Sequence, residues 1–486
     1  MNPTLASLVY ACGIAGLFYL DRDKSIRTSK ALWIPVIYVW AVGSRPVSVW
    51  LGGAASLASD SQIEGSPIDG AFFAVLLIAA LCVLVQRGSR TVTFLNVYLP
   101  KPILIYFVFC LVSVCWSDYP FPALKKWVKA VGDVAMVLIV LTDEQPVAAL
   151  RRFFSRVGFI LLPISLLFIK YYPNLGRTYE AWSGAQMAIG VTLDKNLLGV
   201  ITFVISLGVF WRILDLLKSD KNSPDRRRHL IAQGILLAIG ISLLISANSM
   251  TSNVSFVLGA GLMWAASRPF LRRKAAAVHV LVLSLALSAG LVMIIGGTNA
   301  AHVLGRNSNL TGRTEIWAAV IPMAPNPVIG AGFESFWLST WVRDRFAVLI
   351  PGLPLNEAHN GYIEVYLNLG WVGLGLIALI LSDGYRRAVK AFRREPALGA
   401  LLLAYVLAAT TYSITEAGFR MLHPNWIFFL LAVIEASSIA AGVGAGGTPP
   451  LSVAPDRAPG ILARNAPAGR PSRLTPDGKV LRRQAT

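Results

Sequence analysis

The chain has 486 residues, 55% hydrophobic and only 14% charged, with a mean hydropathy of +0.61; soluble domains carry about 25% charge, so a soluble globular class is excluded. Lys and Arg number 44 against 25 Asp and Glu, a net charge of +19, but most of that excess falls between apolar runs, and no nucleic-acid partner is expected. The four cysteines, Cys12, Cys82, Cys110 and Cys115, sit inside apolar runs with no CxxC pair or metal-ligand spacing, which predicts neither a disulfide framework nor a zinc site.

Apolar runs of roughly bilayer length fall near 4–20, 31–52, 70–86, 102–116, 127–141, 153–170, 190–214, 230–247, 250–266, 277–296, 362–382, 397–415 and 426–443. They predict an all-α polytopic bundle over residues 1–443 with about 12 or 13 transmembrane helices. The first run has no basic region before it and no small-residue cleavage site, so it reads as a retained helix. The stretches 31–52 and 117–141 carry polar residues and prolines, which suit a half-span or an interfacial helix.

Orientation comes from Lys and Arg in the connections. Arg22, Lys24, Arg27 and Lys30 fill one; Lys218, Lys221, Arg226, Arg227 and Arg228 another; Arg268, Arg272, Arg273 and Lys274 a third; Arg386, Arg387, Lys390, Arg393 and Arg394 the last. These are predicted cytoplasmic, in contact with anionic lipid, while connections such as Gly53 to Asp69 are neutral or acidic. The longest connection, about 298–361, is then the large periplasmic loop, and its length marks it as functional. Within it Thr314 to Val320 and Phe333 to Val342 read as short interfacial helices carrying Trp317, Trp337 and Trp341. Residues 444–486 turn to Pro, Gly, Ala and Arg and are predicted to be a disordered cytoplasmic tail. No strong internal repeat is visible.

The long connection concentrates polar residues: Arg306, Thr311-Gly312-Arg313, Gly330 and Gly332, then Glu357-Ala358-His359-Asn360-Gly361-Tyr362 with Glu364 just beyond. Arg313 offers a planar, permanently charged fork suited to phosphate oxygens; the bland alternative is headgroup anchoring or pairing with Glu315. His359, where the loop re-enters the membrane, is the best base candidate, with Asn360 and Glu364 to orient a neutral imidazole; a capping histidine is the alternative. His423, near Arg420 and Asn425, is the runner-up. A second cluster holds Arg177 and then Asp194-Lys195-Asn196, charges that are costly in a span unless paired or facing a polar cavity. Trp116-Ser117-Asp118 with Lys125, Lys126 and Lys129 forms a weaker set, better read as interfacial anchoring. No Walker loop, dinucleotide fingerprint or metal-ligand spacing is present, so no cofactor and no metal is expected, and the energy for a reaction would come from the substrate.

Three blocks together resemble the O-antigen ligase and polysaccharide polymerase superfamily: Gly190 to Gly199 with Lys195-Asn196, Leu310 to Trp317 followed by Gly330-Ala331-Gly332, and Ala358 to Gly370 with His359-Asn360-Gly361-Tyr362. They span about 170–385, and the Trp116-Ser117 segment looks like the exopolysaccharide-polymerase branch. The resemblance implies a helical, metal-independent, inverting glycosyltransferase of the GT-C type in the bacterial inner membrane. Its donor would be an undecaprenyl-diphosphate-linked glycan used on the periplasmic face, its acceptor a glycan or lipid A-core, and its surroundings membrane lipids and a polysaccharide assembly complex. Arg313 and Arg177 would hold the diphosphate and His359 would match the family histidine. Lys195, Asn196, Arg306, Asn360, Tyr362, Glu364 and Arg420 complete the expected substrate-binding set. The chain departs from the family at Asn248-Ser249-Met250-Thr251, where many members have Ser-Arg. Polymerisation of repeat units into exopolysaccharide is the expected activity, ligation to lipid A-core is its rival, and a transporter or flippase using Asp194, Lys195 and Glu364 is the reading from another class.

Overall fold

The computed structural model describes residues 2–23, 27–52, 66–179, 184–220, 224–295, 309–349 and 357–442. Arg306 and the expected tail, 444–486, lie outside the described residues.

Each of the thirteen apolar segments contains a helix. They are α1 Pro3–Leu20, α2 Trp33–Val42, α3 Pro67–Gln86, α4 Lys101–Val112, α5 Pro120–Leu141, α6 Pro146–Tyr171, α7 Lys195–Lys218, α8 Pro224–Ala247, α9 Met250–Ala266 and α10 Ala275–Ile295. Two helices of the long connection follow, α11 Asn309–Val320 and α12 Thr340–Leu349, and then α13 Gly361–Arg394, α14 Pro396–Tyr412 and α15 Pro424–Ala440. Apolar sequence in lipid must satisfy its backbone internally, which selects helix. Proline in the first turn starts α1, α3, α5, α6, α14 and α15, where a missing N–H costs nothing.

Among the described residues six helices, α1, α3, α6, α7, α8 and α13, are long and apolar enough to cross a membrane, or seven if Ser89–Tyr98 and Lys101–Trp116, bent by 93°, form one span. The remaining segments are helical but shorter, because an apolar run includes residues that leave the helix. The run at 31–52, for example, stops being helical at Gly43 and restarts only over Val47–Trp50. Helix α5 is long, but Lys125, Lys126 and Lys129 lower its apolarity.

The packing has a centre and a rim. Nearly every residue of α15 and α14 is buried, whereas α1 and α3 bury few and present side chains such as Val75 and Val85 outward, as a lipid-facing surface requires.

Successive helices alternate between two ends of this unit. At one, Arg212 near the end of α7 meets Asp21 after α1 at 2.7 Å, Arg87 after α3 meets Asp143 after α5, and Arg394 at the end of α13 donates to the Ile439 carbonyl at the end of α15. At the other, Arg45 reaches the Leu175 carbonyl and Thr251 at the start of α9 bonds Thr415 after α14. The basic connections at 22, 226–228, 268–274 and 386–394 adjoin the first end; the helices of the long connection adjoin the second.

Candidate active site

The three sequence blocks converge at the second end. Asp194 caps α7, its carboxylate accepting from Asn196 N and Leu197 N, and lies close enough to Glu357 and Glu416 to feel their charge. Gly199, one turn further on, lets α7 approach α9: a Cβ there would stand 2.5 Å from the Ser252 hydroxyl. Thr251 of α9 shares a 2.7 Å hydroxyl bond with Thr415, and Arg313 of α11 donates to the Thr415 carbonyl. A contiguous path therefore links the starts of α7 and α9, the loop helix α11 and the turn after α14.

The charged groups on that path alternate in sign. Arg313 pairs with Glu416 Oε1 at 2.7 Å, and the other Glu416 oxygen lies 3.4 Å from His359 Nδ1. The same ring nitrogen is 2.9 Å from Glu357 Oε1. Glu357 Oε2 then meets Arg420 at 3.1 Å, and Arg420 reaches Glu334 at 3.4 Å. Lys126 of α5 closes the series by donating to the Glu334 carbonyl at 2.7 Å. The Glu416 side chain is only 5% exposed, so its charge depends on these partners rather than on water.

Burial disfavours the charged form of His359, but the hydrogen bonds and charges of Glu357 and Glu416 outweigh it and lift the ring to about 10. Burial likewise opposes the Glu357 carboxylate, yet its bond to His359 and the charges of His359, Arg420 and His423 hold it at about 2. These surroundings favour an imidazolium at His359 beside the Glu357 carboxylate at neutral pH. This revises the neutral base expected from the sequence. Its expected orienting groups are also engaged elsewhere: Asn360 caps α13 through Tyr362 N and Ile363 N and donates to the Ile414 carbonyl, while Glu364 accepts from Trp337 Nε1 and Ala358 N. Both residues shape the backbone that carries His359, which sits at φ +50°, a left-handed conformation that costs a non-glycine residue on the order of 1–3 kcal/mol.

Other expected residues are distributed around this core. Arg420 is within the series. Tyr362 bonds the Thr410 carbonyl at 3.0 Å and packs edge-on to Phe419. His423 caps α15 by accepting from Asn425 N, and burial pushes it down to about 4, so it is neutral with that nitrogen occupied. Lys195 and Asn196 open α7 beside Asp194. Arg177 lies on β1 (Arg177–Tyr179), which pairs antiparallel with β2 (Gln186–Ala188); its guanidinium is bonded to the Ile169 carbonyl and Gln186, not to the charged series. Glu334 and Glu416 were not singled out in the sequence. The available signal was weak: Glu416 stands one residue past an apolar run, and Glu334 two residues past Gly332.

Glycines of the second and third blocks dock the loop. Helix α13 breaks at Gly370, φ +63°, which frees the Leu367 and Asn368 carbonyls to accept from Ala331 N at 3.0 Å and Gly332 N at 2.9 Å. A Cβ on Gly330 would lie 2.3 Å from Asn368 backbone, and one on Gly370 2.2 Å from Val328 backbone; only hydrogen fits at both positions. These contacts fix Glu334 beside Lys126 and Arg420.

The ligand atoms of Glu357, His359 and Glu416 lie within 4.8 Å of one another, a spacing a divalent cation could occupy. Coordination would need His359 to give up its proton.

Fold and site together define a polytopic membrane protein of the all-α class, with a buried, charged cluster at one end of its bundle. Residues 235–378 match the family model described as O-antigen ligase, so this segment is similar to the O-antigen ligase and polymerase superfamily. The matched segment includes Arg313 and His359; Arg177, Lys195, Glu416 and Arg420 lie outside it. No curated protein matches the chain.

Proposed function

We propose that the protein lengthens exopolysaccharide by transferring a growing glycan from undecaprenyl diphosphate to the next lipid-linked repeat unit, at the periplasmic face of the bacterial inner membrane. The carrying observation is that the two oxygens of one carboxylate, Glu416, are shared between Arg313 and His359. An arriving diphosphate offers the same kind of oxygens to the same two cations and replaces Glu416 there, with Arg420 next in the series. The acceptor hydroxyl attacks the anomeric carbon, that carbon's bond to the diphosphate oxygen breaks with inversion, and the hydroxyl proton passes to the released Glu416 carboxylate. His359 and Arg313 neutralise the departing diphosphate. In this scheme His359 acts as a cation, and no metal is required. Lys195 and Asn196 line the approach from α7, Asn360 and Glu364 position His359, and Tyr362 supports the α14 side of the chamber. Arg177 contacts the lipid-linked donor further out.

Orientation follows from charge. Short basic loops are retained in the cytoplasm, which supports a cytoplasmic assignment for the end rich in Lys and Arg, and with it an outward-facing site and an inward C-terminal tail. The segment described as O-antigen ligase favours a second reading, transfer to lipid A-core, through the same site with a different acceptor. Transport is disfavoured, because the charged series lies at one end of the bundle rather than across its middle.

The test is reconstitution in vesicles with an outward-facing undecaprenyl-diphosphate-linked repeat unit, without nucleotide and with EDTA. Chain growth is expected. Addition to lipid A-core without chain growth selects the ligase, and growth that EDTA abolishes and a divalent cation restores assigns the Glu357–His359–Glu416 cluster to a metal instead. No transfer by folded protein overturns the reading.

A further inference from the structure

At the opposite end, two cavities of about 410 and 350 Å³ lie side by side among α1, α6, α7 and α8 and share Asp21, Asp23 and Arg152 in their walls. Their linings hold six Lys and Arg side chains against three carboxylates. Some of that charge is answered: Arg212 pairs with Asp21 at 2.7 Å and Arg151 with Asp215 at 2.6 Å. Donors are left over. Arg156 Nη1 beside the first cavity, and Arg151 Nε and His229 Nε2 beside the second, are buried without a hydrogen-bond partner. A buried donor left unmade costs about 1–3 kcal/mol, so Arg156 Nη1 beside the first cavity marks the place of an absent acceptor.

The first cavity also has an apolar wall. Phe18 and Phe159 line it with ring centroids 5.3 Å apart, and the Arg156 guanidinium lies 4.5 Å over Trp33. A cationic pocket with an aromatic wall at the rim of a bundle matches a phosphate group at the end of an acyl lipid.

We propose that this pocket binds a phosphate group, held by Arg156 and Arg152 at the end of the bundle remote from the candidate active site. Its source is an anionic phospholipid headgroup or free phosphate, and the assignment does not rest on the glycan reading. The protein is purified in detergent and titrated with phosphatidylglycerol, phosphatidylethanolamine or inorganic phosphate, with bound lipid read by native mass spectrometry and phosphate by thermal unfolding. The wild type is expected to retain phosphatidylglycerol over phosphatidylethanolamine, with Arg156→Gln binding about fivefold more weakly. Arg156→Lys, which keeps the charge, should fold and show a smaller loss. Arg393→Gln, exposed at the same end and outside the pocket, should weaken retention far less than Arg156→Gln. Protection by inorganic phosphate that Arg156→Gln removes, without preference for phosphatidylglycerol, assigns the pocket to free phosphate. Equal retention of both lipids with no phosphate effect, or equal losses in Arg156→Gln and Arg393→Gln, overturns the proposal.

Discussion

The two ends of the bundle handle arginine differently. At the candidate active site Arg313 and Arg420 each face a carboxylate, and Glu416 and Glu357 each face cations on both oxygens, so the series is closed. At the basic end Arg212 and Arg151 are paired, yet cationic donors remain unsatisfied around an open space. The contrast separates two ways of meeting an anion. A site with unmade donors binds by filling them; a closed series binds only by exchange, and exchange frees a carboxylate at the moment the anion arrives. That freed group gives the closed end a route to chemistry, because a buried carboxylate stripped of its cations becomes a stronger base.

The largest expected effect comes from breaking the series at its hub. Glu416→Gln keeps the shape but cannot take a proton, and glycan transfer in reconstituted vesicles should fall about 10³-fold with donor binding retained. Unimpaired transfer would move the base elsewhere and leave Glu416 a structural counter-ion. Smaller losses are expected from the cations. His359→Ala should lower transfer about 10²-fold, and Arg313→Lys about tenfold through loss of the bidentate fork, both with the protein still inserted in the membrane. If His359→Ala alone abolished activity while Glu416→Gln did not, the ring would be the base after all.

The helical segments and the three blocks were legible because apolar runs and clustered polar residues are local signals. That Arg313, His359 and the 190–199 block share one end also followed from topology, since alternate connections must fall on the same side. The partners were not legible. Glu416 becomes visible only when the turn after α14 folds against α11 and α13, and nothing near it in sequence distinguishes it from an ordinary helix-flanking acid. The protonation of His359 was hidden for the same reason: a lone histidine suggests a base, whereas two facing carboxylates make it an acid. Gly330 and Gly370 were read as part of a chemical motif, and the structure shows them holding two backbones in contact.

Gly370→Ala tests that last distinction. The added methyl must both adopt φ +63° and displace Val328 backbone, a cost on the order of 3 kcal/mol, so the loop should undock from α13. Limited proteolysis should then cut between 327 and 349 while the connections at the basic end stay protected. Cleavage spread evenly over both ends would show a global loss of stability and no special role for the interlock.

The smallest effect is on stability with pH, and its sign differs between two members of the closed series. Glu357, held at about 2 against an ordinary 4.5, adds stability that is complete above 4.5 and disappears as pH falls through about 2. His359, lifted to about 10 from an ordinary 6.5, adds stability that is complete below 6.5 and is lost as pH rises through about 10. Both contributions are full only between 4.5 and 6.5. The melting temperature of wild type relative to His359→Gln should therefore be most favourable near pH 6 and decline toward pH 10. A His359 deficit that is flat with pH would mean the ring enters the series uncharged, and the exchange of Glu416 for diphosphate would then lose one of its two cations.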